Sequence, residues 1–173
     1  MADVVEVLKK GMSTELWGRR FYREAAERTE SADGKRIFRS LIEEETRHLE
    51  ILCGQYAAFS RDQACVSMEQ AAELAQEVDP TDIFPQAEAA ENLIPPDMTD
   101  EQALQMAMDF EQRGYDLYKQ AAEEAETMHE RELWEYLADA EDKHYAFLQE
   151  THEYLVNDGV WFFDDRELPF FEG

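Results

Sequence analysis

Two Glu-x-x-His motifs stand in the sequence, Glu45-x-x-His48 and Glu141-x-x-His144, with 96 residues between corresponding positions. Residues three apart lie on one face of an α-helix, so each motif points a carboxylate and an imidazole the same way. Such groups bind divalent cations. Either motif alone is weak evidence, because Glu and His are common on solvated helices. Their recurrence indicates that the chain contains two copies of one unit.

The segments before the two motifs align at the same offset of 96 residues. Shared helical composition does not readily match glutamates, glycines and tyrosines together without a gap. We therefore infer that the chain contains an internal repeat of two units. The matched pairs include Leu8 with Leu104, Met12 with Met108, Glu15 with Glu111, Gly18 with Gly114, Tyr22 with Tyr118, Phe38 with Trp134 and Leu52 with Leu148.

Four helices must position these groups, because apolar residues recur at helical spacing in both copies. Ser31 or Asp33 is expected to cap the second helix, after a break over residues 31–34. Two hairpins joined by a long crossover predict an all-α, ferritin-like four-helix bundle over residues 1–157. The helices are predicted over residues 3–29, 35–60, 99–127 and 130–157.

The connection over residues 61–98 holds four of the five prolines, so we predict a crossover rather than a second domain. A short helix is expected over residues 67–77 and another after Pro85. Residues 158–173 form an acidic, aromatic C-terminal tail. The tail either covers one end of the bundle or, in an alternative interpretation, docks a partner.

The inward polar set predicts a dinuclear metal site. Burying four carboxylates in an apolar bundle is costly unless they are neutralised, and two divalent cations would neutralise them. Oxygen and nitrogen donors without thiolate suit iron or manganese. We expect the glutamates of the two motifs to bridge the metals, the other two to be terminal, and each histidine to bind one metal. The predicted ligands are Glu15, Glu45, His48, Glu111, Glu141 and His144.

Other residues have two interpretations each. Tyr22 and Tyr118 are placed to hydrogen-bond a ligand carboxylate or protect against oxidants, or else they simply pack in the core. Gly18 and Gly114 either leave room for metal, oxidant or a mobile carboxylate, or else they allow close helix packing.

Composition excludes several classes of function. The net charge of −25 repels nucleic acid and anionic lipid, so neither is expected as a partner. No stretch approaches the ~20 apolar residues of a membrane span. The two cysteines, Cys53 and Cys65, make no disulfide framework, which favours a reducing cytoplasm. We predict that Cys53 is packed, Cys65 is exposed, and His129 and His152 lie on the surface.

The sequence resembles the rubrerythrin branch of the ferritin-like superfamily over roughly residues 3–157. The resemblance rests on the two Glu-x-x-His motifs and on the segments from Glu15 to Glu27 and from Glu111 to Glu123. The resemblance implies a di-iron site that reacts with hydrogen peroxide or dioxygen, in a homodimer. Rubrerythrins proper carry a rubredoxin domain with paired Cys-x-x-Cys motifs. This sequence has none, so the resemblance implies a separate electron donor, such as a rubredoxin-like protein.

Two positions depart from related patterns. Rubrerythrins have an extra glutamate one turn beyond the helix-3 ligand, where this chain has Gly114, so the carboxylate that shifts with redox state is missing. The symmetric set is closer to that of bacterioferritin. The methionine that binds haem in bacterioferritin is replaced here by Thr46, so no haem is expected.

Three functional hypotheses follow. The first is a non-haem di-iron oxidoreductase, an enzyme that reduces peroxide or dioxygen with electrons from an external donor. Two iron ions are expected, with manganese or a mixed pair left open. The second is a ferroxidase or iron-binding protein of ferritin type. The third is a non-catalytic, metal-stabilised interaction module.

Overall fold

Two helical hairpins form the part of the protein that the computed structural model describes, residues 4–59, 71–72 and 93–161. Within each hairpin the two helices pack along each other, and the first helix of one hairpin contacts the first helix of the other. This is the all-α, ferritin-like four-helix bundle that the repeat predicts. The helices are α1 (Val4–Arg28), α2 (Ala32–Phe59), α3 (Asp100–Glu124) and α4 (Met128–Asp158).

The break between α1 and α2 lies earlier than the sequence predicts. The Ser31 hydroxyl accepts a hydrogen bond from the Gly34 backbone N–H (3.1 Å) and so caps α2, one of the two caps proposed. The break therefore covers residues 29–31, and Gly34 belongs to the first turn of α2. The prediction that it lay in the break was wrong. Glycine is needed there because a Cβ would lie 2.8 Å from the Trp161 ring.

Caps also define the second hairpin. Thr99 and Gln102 form a reciprocal capping box at the start of α3, where the sequence predicts a helix start. Thr127 caps α4 by accepting the Glu130 N–H (3.2 Å), so α4 begins two residues earlier than predicted. Gly159, with φ of 66°, ends α4 in the left-handed conformation that favours glycine.

The core is divided into two apolar clusters by a polar layer that crosses all four helices. On α2, for example, Phe38 and Leu41 belong to one cluster and Leu49 and Leu52 to the other. Each of the other three helices likewise contributes to one cluster before the polar layer and to the other cluster after it. The polar residues of this layer are Glu15 on α1, Glu45 and His48 on α2, Glu111 on α3, and Glu141 and His144 on α4.

The end of the crossover is attached to α1. The Glu24 carboxylate accepts hydrogen bonds from the backbone N–H groups of Leu93 (3.1 Å) and Ile94 (3.2 Å). Arg28 donates to the carbonyl oxygen of Pro95 (2.7 Å). These bonds satisfy backbone groups at the point where the chain enters the second hairpin.

Several predictions fall wholly or partly outside the described residues. Of the short helix expected over residues 67–77, only residues 71–72 are described, and they are helical. The helix expected after Pro85, Cys65 and the tail beyond Trp161 are not described. Trp161 itself is buried against Phe38, with ring centroids 5.8 Å apart. Among the described residues, no helix combines the length and the apolar character needed to span a membrane.

Candidate metal centre

The structure brings together all six residues that the repeat singled out. Each helix contributes to the layer, and each member of the set is at most 2% exposed. They reach one place because two hairpins with the same spacing face each other. Charged side chains are almost never buried this fully unless they are paired or bind metal.

The first group of potential ligands is Glu15, Glu45, His48 and Glu141, with ligand atoms all within 4.8 Å of one another. Nδ1 of His48 lies 3.5 Å from Glu15 Oε2 and 3.3 Å from Glu141 Oε1. Three of these residues come from the first hairpin and one from the second.

The second group is Glu45, Glu111, Glu141 and His144, again within 4.8 Å. Nδ1 of His144 lies 3.2 Å from Glu111 Oε2, 3.3 Å from Glu141 Oε2 and 3.4 Å from Glu45 Oε1. The two groups share Glu45 and Glu141, the residues expected to bridge. Glu15 and Glu111 each belong to one group, as expected of terminal ligands. Their role as ligands stays a prediction.

Several buried atoms of these groups have no hydrogen-bond partner among the described residues. They are Oε2 of Glu15, both carboxylate oxygens of Glu45, Nδ1 of His48 and Oε2 of Glu141. Leaving a buried polar atom unsatisfied costs about 1–3 kcal/mol, and more for a charged group. Cations between these atoms would satisfy them, so the donor set fits a pair of divalent metals.

The electrostatics of the metal-free layer favour bound protons. Burial raises the pKa of Glu45 well above its ordinary value, and the neighbouring carboxylates, Glu15 first, raise it further. Burial also raises the pKa of Glu111 to about 8, against the opposing effect of His144. Burial lowers the pKa of His48, but the Glu141 charge outweighs it and brings the pKa to about 10. Metal binding would displace these protons.

The two tyrosines make contacts that cross between the hairpins. The Tyr22 hydroxyl on α1 donates to Glu111 on α3, and the Tyr118 hydroxyl on α3 donates to Glu15 on α1. Burial raises the pKa of both phenols, so they remain donors at neutral pH. Of the two interpretations of these tyrosines, the contacts therefore agree with hydrogen bonding to a predicted ligand carboxylate. Such bonds orient a ligand and fix its basicity.

The paired glycines have different neighbours. A Cβ at Gly18 would lie 2.4 Å from Phe110, so Gly18 permits close packing of α1 on α3. A Cβ at Gly114 would instead lie 3.3 Å from Cγ and Cδ of Glu141. Close packing thus explains Gly18, whereas Gly114 keeps a site carboxylate free of crowding.

One residue near the site was missed in the sequence. Glu44 on α2 lies with His48 and His144 in a third group of potential ligand atoms, within 4.8 Å of one another. Its spacing of four residues from His48 was a usable signal. The contact with His144, which joins the two hairpins, could not be read from the sequence.

The remaining candidates lie apart from the metal-ligand groups. His129 is exposed and His152 is partly buried, and neither belongs to a group of potential ligands among the described residues. Cys53 is partly buried, with its sulfur 3.6 Å from the Met12 sulfur, which agrees with a packing role.

Comparisons with known proteins agree with this arrangement. A family model described as Rubrerythrin matches residues 6–152. A hypothetical protein from Pyrococcus furiosus has the same fold, with a TM-score of 0.68 and 22% identity over 90% of this chain and 91% of that one. No curated protein matches. Because the family match spans most of the sequence, the chain belongs to the rubrerythrin family.

Proposed function

We propose that the protein is a non-haem di-iron oxidoreductase that reduces hydrogen peroxide or dioxygen with electrons from a separate donor. The observation that supports this most directly is the pair of ligand groups that share Glu45 and Glu141. Four carboxylates balance the charge of two divalent ions. Membership of the rubrerythrin family supports iron as the metal.

The bound iron pair would supply the electrons for reduction of the oxidant. The protein's own residues hold and insulate that pair. Glu15 and Glu111 would each help to hold one of the two ions, and each accepts a hydrogen bond from a tyrosine hydroxyl of the other hairpin. The apolar clusters on both sides of the layer exclude bulk water, which strengthens every charge interaction within the site.

The reaction requires an outside reductant. Hydrogen peroxide becomes water by taking up an electron pair and protons, and the site must regain those electrons before it can react again. We propose a rubredoxin-like protein as the donor, a homodimer as the oligomer and the cytoplasm as the compartment. The family resemblance supports the first two, and the low cysteine content supports the third.

A first experiment tests metal loading and oxidation together. Protein loaded without oxygen with two Fe(II) per chain should be oxidised by peroxide much faster than free Fe(II). Glu45→Gln combined with Glu141→Gln removes both shared ligands and should weaken metal binding by roughly 100-fold or more. Glu43→Gln, an exposed neighbour on the same helix, is the matched control and should behave as wild type. Oxidation no faster than that of free Fe(II) would contradict the proposal.

Ferroxidase activity is the second candidate, and the surroundings of Gly114 favour it. Position 114 is a glycine and so supplies no additional carboxylate from α3, and the three atoms nearest to a Cβ there would all belong to Glu141. A ferroxidase would oxidise excess Fe(II) to ferric product without a reductant. The proposed oxidoreductase would instead consume peroxide repeatedly only while a reductant is supplied. Measuring peroxide and ferric product, with and without reductant, separates the two.

A further inference from the structure

Glu44 lies at the outer edge of the histidine pair. It precedes Glu45 on α2, and a carboxylate oxygen lies within 4.8 Å of a ring nitrogen of each histidine of the site. The Glu44 side chain is 12% exposed, whereas those of His48 and His144 are 2% and 1% exposed. Glu44 is therefore the member of this group that reaches toward solvent.

The internal repeat does not account for this carboxylate. The position 96 residues after Glu44 is Ala140, so the second hairpin has no equivalent. One carboxylate nevertheless approaches both histidines, because the rings of His48 and His144 are stacked at 5.3 Å with an angle of 16°. The group thus combines two imidazoles and one carboxylate, a donor composition that binds Fe(II) and related divalent metals.

Arg47 lies on the solvent side of the same carboxylate. Its guanidinium forms an ion pair with Glu44 across one helical turn, and its side chain is 49% exposed. Glu44 is thus placed between a surface cation and two buried imidazoles. An exposed ion pair of this kind contributes little stability, so an incoming metal ion can replace it at low cost.

We propose that Glu44, His48 and His144 form a third, transient position for a divalent cation, through which metal passes between solvent and the dinuclear site. The inference rests on the proposed function, because it needs that site as the destination. The position is transient for two reasons. Both histidines are also needed by the inner metals, and Arg47 competes for the carboxylate.

Burial of the inner ligands explains why a more exposed position would help a metal ion to reach them. All six are at most 2% exposed, so a hydrated cation cannot reach them without first losing water. The Nδ1 atom of His48 has no hydrogen-bond partner among the described residues and lies 3.3 Å from Glu141 Oε1, so the imidazole that Glu44 approaches also faces the inner ligands. A partly exposed carboxylate next to it allows the ion to exchange its water ligands for protein ligands one at a time.

The test uses Co(II) as a coloured probe of the intact chain. Wild type, Glu44→Gln and the exposed neighbour control Glu43→Gln are compared for metal content at equilibrium, for the rate of loading, and for the rate of release to a chelator. We expect two tightly bound Co(II) per chain in all three. Loading and release should both slow by about tenfold in Glu44→Gln alone.

A second variant separates ligation from the ion pair. Arg47→Gln leaves the Glu44 carboxylate in place and removes its competitor, so it should load at least as fast as wild type. Slow loading of Arg47→Gln would show that the ion pair matters rather than ligation, and would overturn the inference. Equal slowing in Glu43→Gln would assign the effect to general surface charge, with the same consequence.

Two further outcomes distinguish this inference from the proposed function. If wild type binds two Co(II) and Glu44→Gln loads at the same rate, the third position is wrong and the dinuclear site stands. If wild type binds no Co(II), both are wrong. Because the equilibrium metal content and the rates are measured on the same samples, each result shows whether the third position alone is wrong or the dinuclear site is wrong as well.

Discussion

The carboxylates of the polar layer are alike in sequence but differ in electrostatic environment. Neither oxygen of Glu45 has a hydrogen-bond partner, and burial raises its pKa well above the ordinary value. Burial also opposes ionisation of Glu141, but its contacts with Glu111 and both imidazoles outweigh this and hold its pKa below the ordinary value. The repeat predicts that Glu45 and Glu141 are equivalent, whereas their contacts shift their pKa values in opposite directions in the absence of metal.

These shifts predict that the metal-free protein loses stability as the pH rises. The pKa values of Glu45 and Glu111 are higher in the folded chain than in the unfolded chain, and so are those of His48 and His144. Between about pH 5 and pH 8 the folded state therefore binds more protons than the unfolded state, which makes the free energy of unfolding fall. Urea unfolding in the presence of chelator should show that the free energy of unfolding falls by more than about 1 kcal/mol between about pH 5 and pH 8.

Glu111→Gln tests the origin of that slope. Its carboxyl pKa of about 8 makes Glu111 a contributor from the unfolded value up to that pH, so the variant should show a shallower dependence. Glu123→Gln, an exposed change of the same charge on the same helix, should keep the wild-type slope. Equal slopes for all three proteins would show that surface charge repulsion, rather than the buried layer, sets the dependence.

At the scale of the helices, the two glycines that the repeat pairs serve different contacts. Phe110 of α3 fills the space next to Gly18 of α1. The repeat places Thr14 where Phe110 stands in the other copy, and this shorter side chain is not among the atoms nearest to the Cβ position of Gly114. Close approach of α1 and α3 therefore depends on one glycine, while the other faces a predicted ligand.

Gly18→Ala should destabilise the fold by about 1–3 kcal/mol, because the added Cβ overlaps the buried Phe110 ring. Adding Phe110→Leu should recover part of this loss. Gly54→Ala on α2 is the control: its Cβ meets nothing within 4 Å, so it should stabilise the helix by about 0.5–1 kcal/mol. Denaturant midpoints of the three variants provide the measurement. A Gly18→Ala protein as stable as wild type would contradict the packing argument.

For the molecule as a whole, the two groups of potential ligands join the two hairpins. The first group takes one donor, Glu141, from the second hairpin, and the second group takes Glu45 from the first. The tyrosine hydroxyls add two more contacts across the same boundary. Metal in these groups would therefore stabilise the arrangement of the hairpins as well as each hairpin.

Removal of metal should accordingly lower the stability of the whole bundle. A free metal concentration about 1,000 times the dissociation constant adds about 4 kcal/mol to the free energy of unfolding. For wild type, the midpoint of thermal unfolding should be much higher with metal than with chelator. A loss of affinity of about 100-fold in the Glu45→Gln and Glu141→Gln double variant should remove about 2.7 kcal/mol of this stabilisation, so the difference should be much smaller. A wild-type midpoint unaffected by metal would argue against a site that joins the hairpins.

The sequence by itself determined the architecture and the composition of the site. Helical periodicity and the offset of 96 residues are local or repeated patterns, so they could be read without a structure. They predicted four helices, and they named six residues that the fold brings together. Helix ends differed by a few residues because Ser31 and Thr127 act as caps, and the choice among nearby capping residues depends on geometry.

Only the tertiary structure decided which residues meet across the hairpins. The bonds from Tyr22 to Glu111 and from Tyr118 to Glu15 join positions 89 and 103 residues apart. The position of Glu44 beside His144 and the inequality of the shared carboxylates arise in the same way. The physical reason is that a repeat specifies which side chains face inward, whereas distances, desolvation and charge coupling depend on how the two copies are packed.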